Sequence, residues 1–537
     1  MHMLNMLPAH GGSCLFYTKQ PYVAKVCGSD KHDFDIFGDF VTFVTPPIFH
    51  HMKTIRDLNP TPLWNHFADL NAIPRASKKE EKVIRFMQDF GAGLGLETLT
   101  DKTGNVIIRK PATPGMENRK TVVLQSHLDM VHQKNSDTHF DFDTRGIDMF
   151  IDGDWVRARG TTLGSDNGIG VATIMAILAS DDIPHPELEA LFTIDEETGM
   201  TGAMGLEGGL LRGEILLNLD TEEDDEIDIG CAGGLDVTAT RKYRTSEADL
   251  HKYVSYRIAV KGLQGGHSGI DIHLGRGNAN KIMARLIYGM DESCGLRLTR
   301  LMGGSLRNAI PREAEAIVIV PTDNDKLFIS QLEELSAAIR KEYATVDPGL
   351  NIRWESSPLP PHFVHAEDAR SILDAIRGAH NGVFRMSPDI ADLVEASNNV
   401  AKTDVSEGNA TVMCLTRSSV ESSKWDVAYS LQSVFRQSGF DVMFSGDYPG
   451  WTPNVNSPIL KVLTDLYEKM HGSKPHVVAC HAGLECGILG RNYPAMDMIS
   501  YGPTIKGAHS PDEKVSITSV EKFWHYTLEI LRNIPLK

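Results

Sequence analysis

The sequence is poor in cysteine and in positive charge. Seven cysteines are scattered through 537 residues. An odd, dispersed set does not read as a disulfide framework and suits a reducing cytoplasm. Lysine and arginine total 53 against 71 aspartates and glutamates, a formal charge of −18. That balance argues against nucleic acid as a partner. No apolar stretch is long enough to span a bilayer, so no membrane role is expected. No Gly-x-Ser-x-Gly elbow surrounds a serine, which leaves a serine hydrolase poorly supported. What is present, 41% hydrophobic and 7% aromatic residues, is ordinary for a globular chain able to bury a large core.

Against that background one stretch stands out. Thr121 to Leu124 is β-branched and uncharged and reads as a buried strand. It runs into Gln125-Ser126-His127-Leu128-Asp129. Reactive groups collect beyond the carboxyl ends of strands in open α/β sheets. Alternation places His127 and Asp129 on one side, as for a metal-bound imidazole fixed by a carboxylate. A strand-end histidine that only bonds the backbone is the plainer alternative.

Three further stretches repeat the pattern. Gly164-Ser165-Asp166-Asn167-Gly168 opens an apolar helix over 168–179. A phosphate loop is the alternative, but Asp166 would repel phosphate and no Walker lysine follows. Leu191 to Ile194 ends in Asp195-Glu196-Glu197, and Ile215 to Leu219 ends in Asp220. Consecutive buried carboxylates are costly unless solvated or metal-bound. Mixed imidazole and carboxylate donors suit zinc, with manganese or cobalt as alternatives. The number of acids suits two ions sharing a bridging carboxylate.

His127-x-Asp129, Gly164-x-Asp166-Asn167-Gly168, Asp195 to Gly199, Asn218-x-Asp220 and the segment from Gly502 to Glu513 appear in order. Together they resemble the motif series of the aminoacylase/DapE-like co-catalytic zinc peptidases. Ser126 to Val131 and Cys480 to Gly487 are similar to its Xaa-His dipeptidase branch. The resemblance covers about residues 53 to 537. It implies an α/β protein: a three-layer catalytic domain with an inserted α+β lid domain. It implies that Asp166 bridges two zinc ions, His127 and Asp220 completing one site and Glu197 and His509 the other. Catalytic roles fall to Glu196, as general base, and to Asp129, which orients His127. It implies a cis Asp166–Asn167 peptide. Substrate binding falls to His267, which would bond the carbonyl oxygen, and to Asn308, Arg417 and Gly483. The implied substrate is a small dipeptide, Xaa-His including β-alanyl-histidine, hydrolysed in the cytoplasm by a homodimer paired through the lid. An aminoacylase or tripeptidase of the same family is the alternative, and a dinuclear phosphoesterase a remoter one.

The chain divides accordingly. Residues 1–51 lack periodicity and are expected to be an irregular extension without a catalytic part. Residues 52–235 and 446–537 form the two parts of the catalytic domain, and 236–445 the inserted lid. The glycines of Gly230-Cys231-Ala232-Gly233-Gly234 read as a hinge. Ser77 with Glu80, and Thr518 with Glu521, read as capping boxes opening helices. Phe328, Leu332, Leu335 and Ile339, like Trp425, Ala428, Leu431 and Phe435, form apolar stripes that mark core helices. His132, His139 and His185 are expected to face solvent, and the acid run Glu222 to Glu226 to be a solvated loop. His481 is kept behind the ligands, and Arg307 is weighed between carboxylate binding and plain solvation.

Overall fold

The computed structural model describes residues 54–537, so the reading of residues 1–51 lies outside them. Two sheets organise the chain. The first has eight strands, ordered Glu97–Thr100, Val106–Lys110, Leu188–Thr193, Val122–His127, Ile215–Asn218, Asp497–Ser500, Glu226–Cys231 and His476–Cys480. Its centre is parallel: Val122–His127 lies between Leu188–Thr193 and Ile215–Asn218. All three are buried along their whole length. Apolar runs without polar alternation are what a strand covered on both faces requires.

Neighbouring residues of these strands feed opposite layers, as the strand period of two dictates. Val122, Leu124, Ile108 and Leu217 pack with helices Thr61–Asn71, Ser165–Ala179, Pro458–His471 and Ile517–Arg532. Val123, Ile107 and Leu216 pack on the other face with Ala203, Leu206, Cys486 and Leu489. The result is the three-layer α/β arrangement expected.

The second sheet is antiparallel and draws its strands from Gly233 to Tyr448. Helices Ala279–Tyr288, Asp325–Glu342, Ala366–Gly378 and Glu421–Gln437 contribute to its apolar core. The predicted stripes supply that core through Phe328, Leu332, Ile339, Ala428, Leu431 and Phe435. Trp425 and Leu335 pack at its margin.

The chain passes from one sheet to the other at Ala232 and returns near Trp451. Cys231 and Trp451 exchange both backbone hydrogen bonds at 2.9 Å. A Cβ on Gly233 would sit 2.4 Å from the Gly450 nitrogen. That glycine is required because two backbones cross there.

Both capping boxes are corrected. The first helix begins at Glu81 with Glu80 at its cap. Ser77 instead donates its hydroxyl to Asp129 Oδ2 at 2.8 Å. The last helix is capped by Ser516, which accepts from the Ser519 nitrogen, and Thr518 bonds Asp154. In each case a serine or threonine close by in sequence had a stronger tertiary partner.

Candidate metal centre

The strand Val122–His127 delivers His127 at its carboxyl end, fully buried. Its Nε2 lies 3.2 Å from Asp166 Oδ1 and 3.5 Å from Asp220 Oδ1. Its Nδ1 lies 3.2 Å from the Asp129 carbonyl and 3.4 Å from Asp129 Oδ1. Burial opposes charge on this ring, but Asp220, Asp129 and Asp166 outweigh it and hold its pKa well above the ordinary value.

Asp166 stands at the start of the helix Ser165–Ala179, where it and Asn167 are non-helical and joined by a cis peptide. Its other oxygen, Oδ2, lies 3.2 Å from His509 Nε2. His509 Nε2 also meets Glu197 Oε2 at 2.9 Å. Hydrogen bonds to Asp166 and Glu197 raise the His509 pKa to about 11. Asp166 is held far below the usual carboxylate range by the two histidines, despite its burial.

His127, Asp166 and Asp220 thus form one group of donors, and Asp166, Glu197 and His509 a second. Within each group the donor atoms lie within 4.8 Å of one another. Asp220 Oδ1 is buried without a hydrogen-bond partner. Converging buried carboxylates with an orphaned oxygen are unfavourable unless a cation joins them. This donor set therefore fits divalent metal ions, one per group with Asp166 common to both.

Glu196 and Glu197 lie beyond the strand Leu188–Thr193 and do not continue it. They open a helical turn, Glu196–Gly199, entered through Asp195 in left-handed conformation. Their backbone nitrogens donate to Asp129 Oδ1 at 3.0 Å and Oδ2 at 3.3 Å. Asp195 is held by Lys78, Thr198 and Thr201. The turn sends Glu197 to His509, while the Glu196 side chain makes no hydrogen bond among the described residues. Burial, then Asp220 and Glu197, push the Glu196 pKa well above the ordinary value against the pull of His127.

The second-sheet residues also assemble. His267 Nδ1 accepts from the Gly269 and Ile270 nitrogens at 3.3 and 3.1 Å. Its proton therefore resides on Nε2, 3.4 Å from Arg417 Nη2. Burial, aided by Arg417, lowers the His267 pKa to about 4, so the ring is neutral. Arg417 Nη1 donates to Tyr448 Oη at 2.9 Å. A Cβ on Gly483 would lie 3.5 Å from that same oxygen. Asn308 is exposed; its carbonyl accepts from the Ser268 nitrogen at 2.8 Å. Arg307 is bound to the sheet itself, by Asp236, Thr238 and the Cys414 carbonyl.

Other expectations change. His185 is fully buried, its Nδ1 2.7 Å from the Pro186 carbonyl; the adjoining prolines fold it inward. His132 and His139 are exposed. The acid run is not a freely solvated loop: Glu223 pairs with Lys506 and Asp224 with Lys522. Burial and Asp166 raise the Glu222 pKa to about 8. Glu222 lines a cavity of about 640 Å³ with Asp220, Asp228, His273 and His481. His481 belongs to neither donor group; its Nε2 lies 2.8 Å from Ser397 Oγ. A second cavity of about 650 Å³, around Trp451 and Arg491, is lined by none of these donors.

Sequence reasoning passed over Arg75 and gave Glu513 no role. Arg75 is buried and donates to the carbonyls of Leu128, Asp129 and Gly164. Nothing near Arg75 in sequence signals this; Glu513 at least lay inside a recognised motif.

Peptidase family M20/M25/M40 matches residues 123–533, and the chain belongs to that family. It is a peptide hydrolase of the metallopeptidase kind. Over 486 residues it is 42% identical to the cytosol non-specific dipeptidase of Escherichia coli (strain K12), spanning 90% of this chain and 100% of that one. The crystal structure of aminoacylhistidine dipeptidase from Vibrio alginolyticus matches with TM-score 0.84 and 45% identity, over 90% of this chain and 99% of that one. Aminopeptidase PepT of Bacillus cereus ATCC 10987 matches with TM-score 0.51 and 16% identity, over 89% and 99%, and shares the fold.

Proposed function

We propose that this chain is a cytosolic dipeptidase that hydrolyses unblocked dipeptides, Xaa-His and β-alanyl-histidine among them, with two zinc ions. Manganese or cobalt would serve as substitutes. The carrying observation is Asp166, whose two oxygens each face a different histidine at 3.2 Å. His127 and Asp220 would hold one ion, Glu197 and His509 the other. A metal pair supplies an acidified water near neutral pH.

The chain's own groups account for the rest. Glu196 accepts the proton of the attacking water on its carboxylate and hands it to the leaving amine nitrogen. A carboxylate adjoining Glu197, on a turn whose nitrogens Asp129 holds, is placed for that double task. Asp129 fixes the His127 ring, and is itself held by Ser77 and the Glu196 and Glu197 nitrogens. His267 offers its Nε2 proton to the carbonyl oxygen as negative charge develops there. Arg417, positioned by Tyr448, would take the terminal carboxylate in a forked contact, beside Asn308 and Gly483.

Residues 236–445 would act as the lid that brings these groups over the metals, between catalytic parts 52–235 and 446–537. We expect a homodimer paired through that lid, to be read by sedimentation. The names of the Escherichia coli and Vibrio alginolyticus relatives support the substrate class. The deciding assay compares dipeptides, tripeptides and N-acyl amino acids, with and without a chelator. Dipeptide turnover should dominate and vanish on chelation. Glu196→Ala should lower kcat by about 10²–10⁴-fold while both ions stay bound. A kcat within about tenfold of the wild type would remove the assigned base.

A further inference from the structure

The two donor groups reach Asp166 by unlike routes, and His509 has the weaker scaffold. Its side chain is 55% exposed. Its backbone is left-handed, with φ of 66°. The turn around it is closed by short-range bonds: the Ser510 nitrogen to the Gly507 carbonyl, and the Glu513 nitrogen to the Ser510 carbonyl. None of these fixes the loop to the residue it must meet.

Glu513 does. It is 2% exposed and lies four positions after His509. Its Oε2 accepts from the Leu163 and Gly164 nitrogens at 2.7 and 3.0 Å. Its Oε1 accepts from the Ser165 nitrogen at 2.7 Å and the Ser165 hydroxyl at 2.6 Å. These donors immediately precede Asp166. From the opposite side the buried Arg75 guanidinium donates to the Gly164 carbonyl and to the carbonyls of Leu128 and Asp129. One carboxylate therefore joins the loop of His509 to the turn of Asp166, and one guanidinium joins that turn to the strand of His127.

We propose that Glu513 is a positioning residue that sets the affinity of the Glu197–His509 site, leaving the His127–Asp220 site to the strands and Arg75. This rests on the two-ion reading above. Partners behind metal ligands typically change metal affinity by about 10–100-fold when removed. Glutamine at 513 would turn an amide N–H₂ toward backbone N–H donors, so the clasp loosens without a large change in volume.

The test is a zinc titration of the full-length, metal-stripped chain by calorimetry with a competing chelator. Two binding steps are expected for the wild type; fewer than two would overturn the two-ion reading and this inference with it. In Glu513→Gln the first step should match the wild type, and the second should weaken by about 10–100-fold. Metal-free melting should stay near that of the wild type. Both steps unchanged, or both weakened together with a lowered melting temperature, would refute the assignment. Ser165→Ala removes one of the clasp's donors and serves where Glu513→Gln fails to fold. It should weaken the second step alone, by less, and an unchanged second step would refute the idea.

Discussion

The two halves of the candidate centre share Asp166 and little else. His127 and Asp220 come from the ends of neighbouring strands, with side chains 1% and 7% exposed. Glu197 and His509 come from a helical turn and a loop, and their entry residues Asp195 and His509 itself are left-handed. In the first half, register within a parallel sheet places the donors, and core packing holds them. In the second, specific hydrogen bonds must do that work: Asp129 to the Glu196 and Glu197 nitrogens, Glu513 to the turn before Asp166. Two donor groups of similar chemistry can rest on different kinds of support.

The strongest test of the shared residue is Asp166→Ala. It should abolish both zinc-binding steps and dipeptide turnover together; retention of one full-affinity step would show that the halves do not share a ligand. A smaller effect separates the halves. His127→Ala and His509→Ala should each remove one binding step. In the metal-free protein, however, removing His127 strands buried carboxylates and should cost about 3–5 kcal/mol in urea unfolding. His509, whose side chain is 55% exposed although its partner Glu197 is buried, should cost less. Equal costs would break the comparison.

The third effect concerns a histidine that neither half uses. Asp220, Asp129 and Asp166 raise the His127 pKa against its burial, whereas burial, aided by Arg417, lowers that of His481 to about 3. His481 is thus neutral when folded and takes a proton when unfolded below its ordinary value of 6.5. Its contribution to stability is complete above that value and is lost as pH falls toward 3, at about 1.4 kcal/mol per pH unit. Metal-free His481→Gln should show a flatter dependence of unfolding free energy on pH in that window. The ligand carboxylates titrate in both proteins and cancel in the difference. An unchanged slope would show that His481 is not buried neutral.

Much of this was readable in advance, and unevenly. Thr121 to Leu124, Leu191 to Ile194 and Ile215 to Leu219 announced themselves as uncharged runs leading to histidine or acid, because a strand covered on both faces has no reason to alternate. The core stripes of the second sheet were equally plain. Ser77 was misread because serine three residues before glutamate is a capping signal locally, while Asp129, 52 positions away, is its partner. Arg75 gave little signal, since apart from Asn71 Oδ1 its acceptors are backbone carbonyls, which every residue carries. Glu222 looked like one of five surface acids until the fold set it on the wall of a cavity with Asp220.

Local pattern, then, settled which residue types stand at which strand ends, since hydrophobic periodicity is a property of a few neighbours. The motif order carried the family and the donor list. Folding alone could decide that Asp166 turns one oxygen to His127 and the other to a histidine 343 positions later. It also decided that a glutamate beyond that histidine closes the loop. Such pairings depend on where buried polar groups find partners across the whole chain, and that is a property of packing.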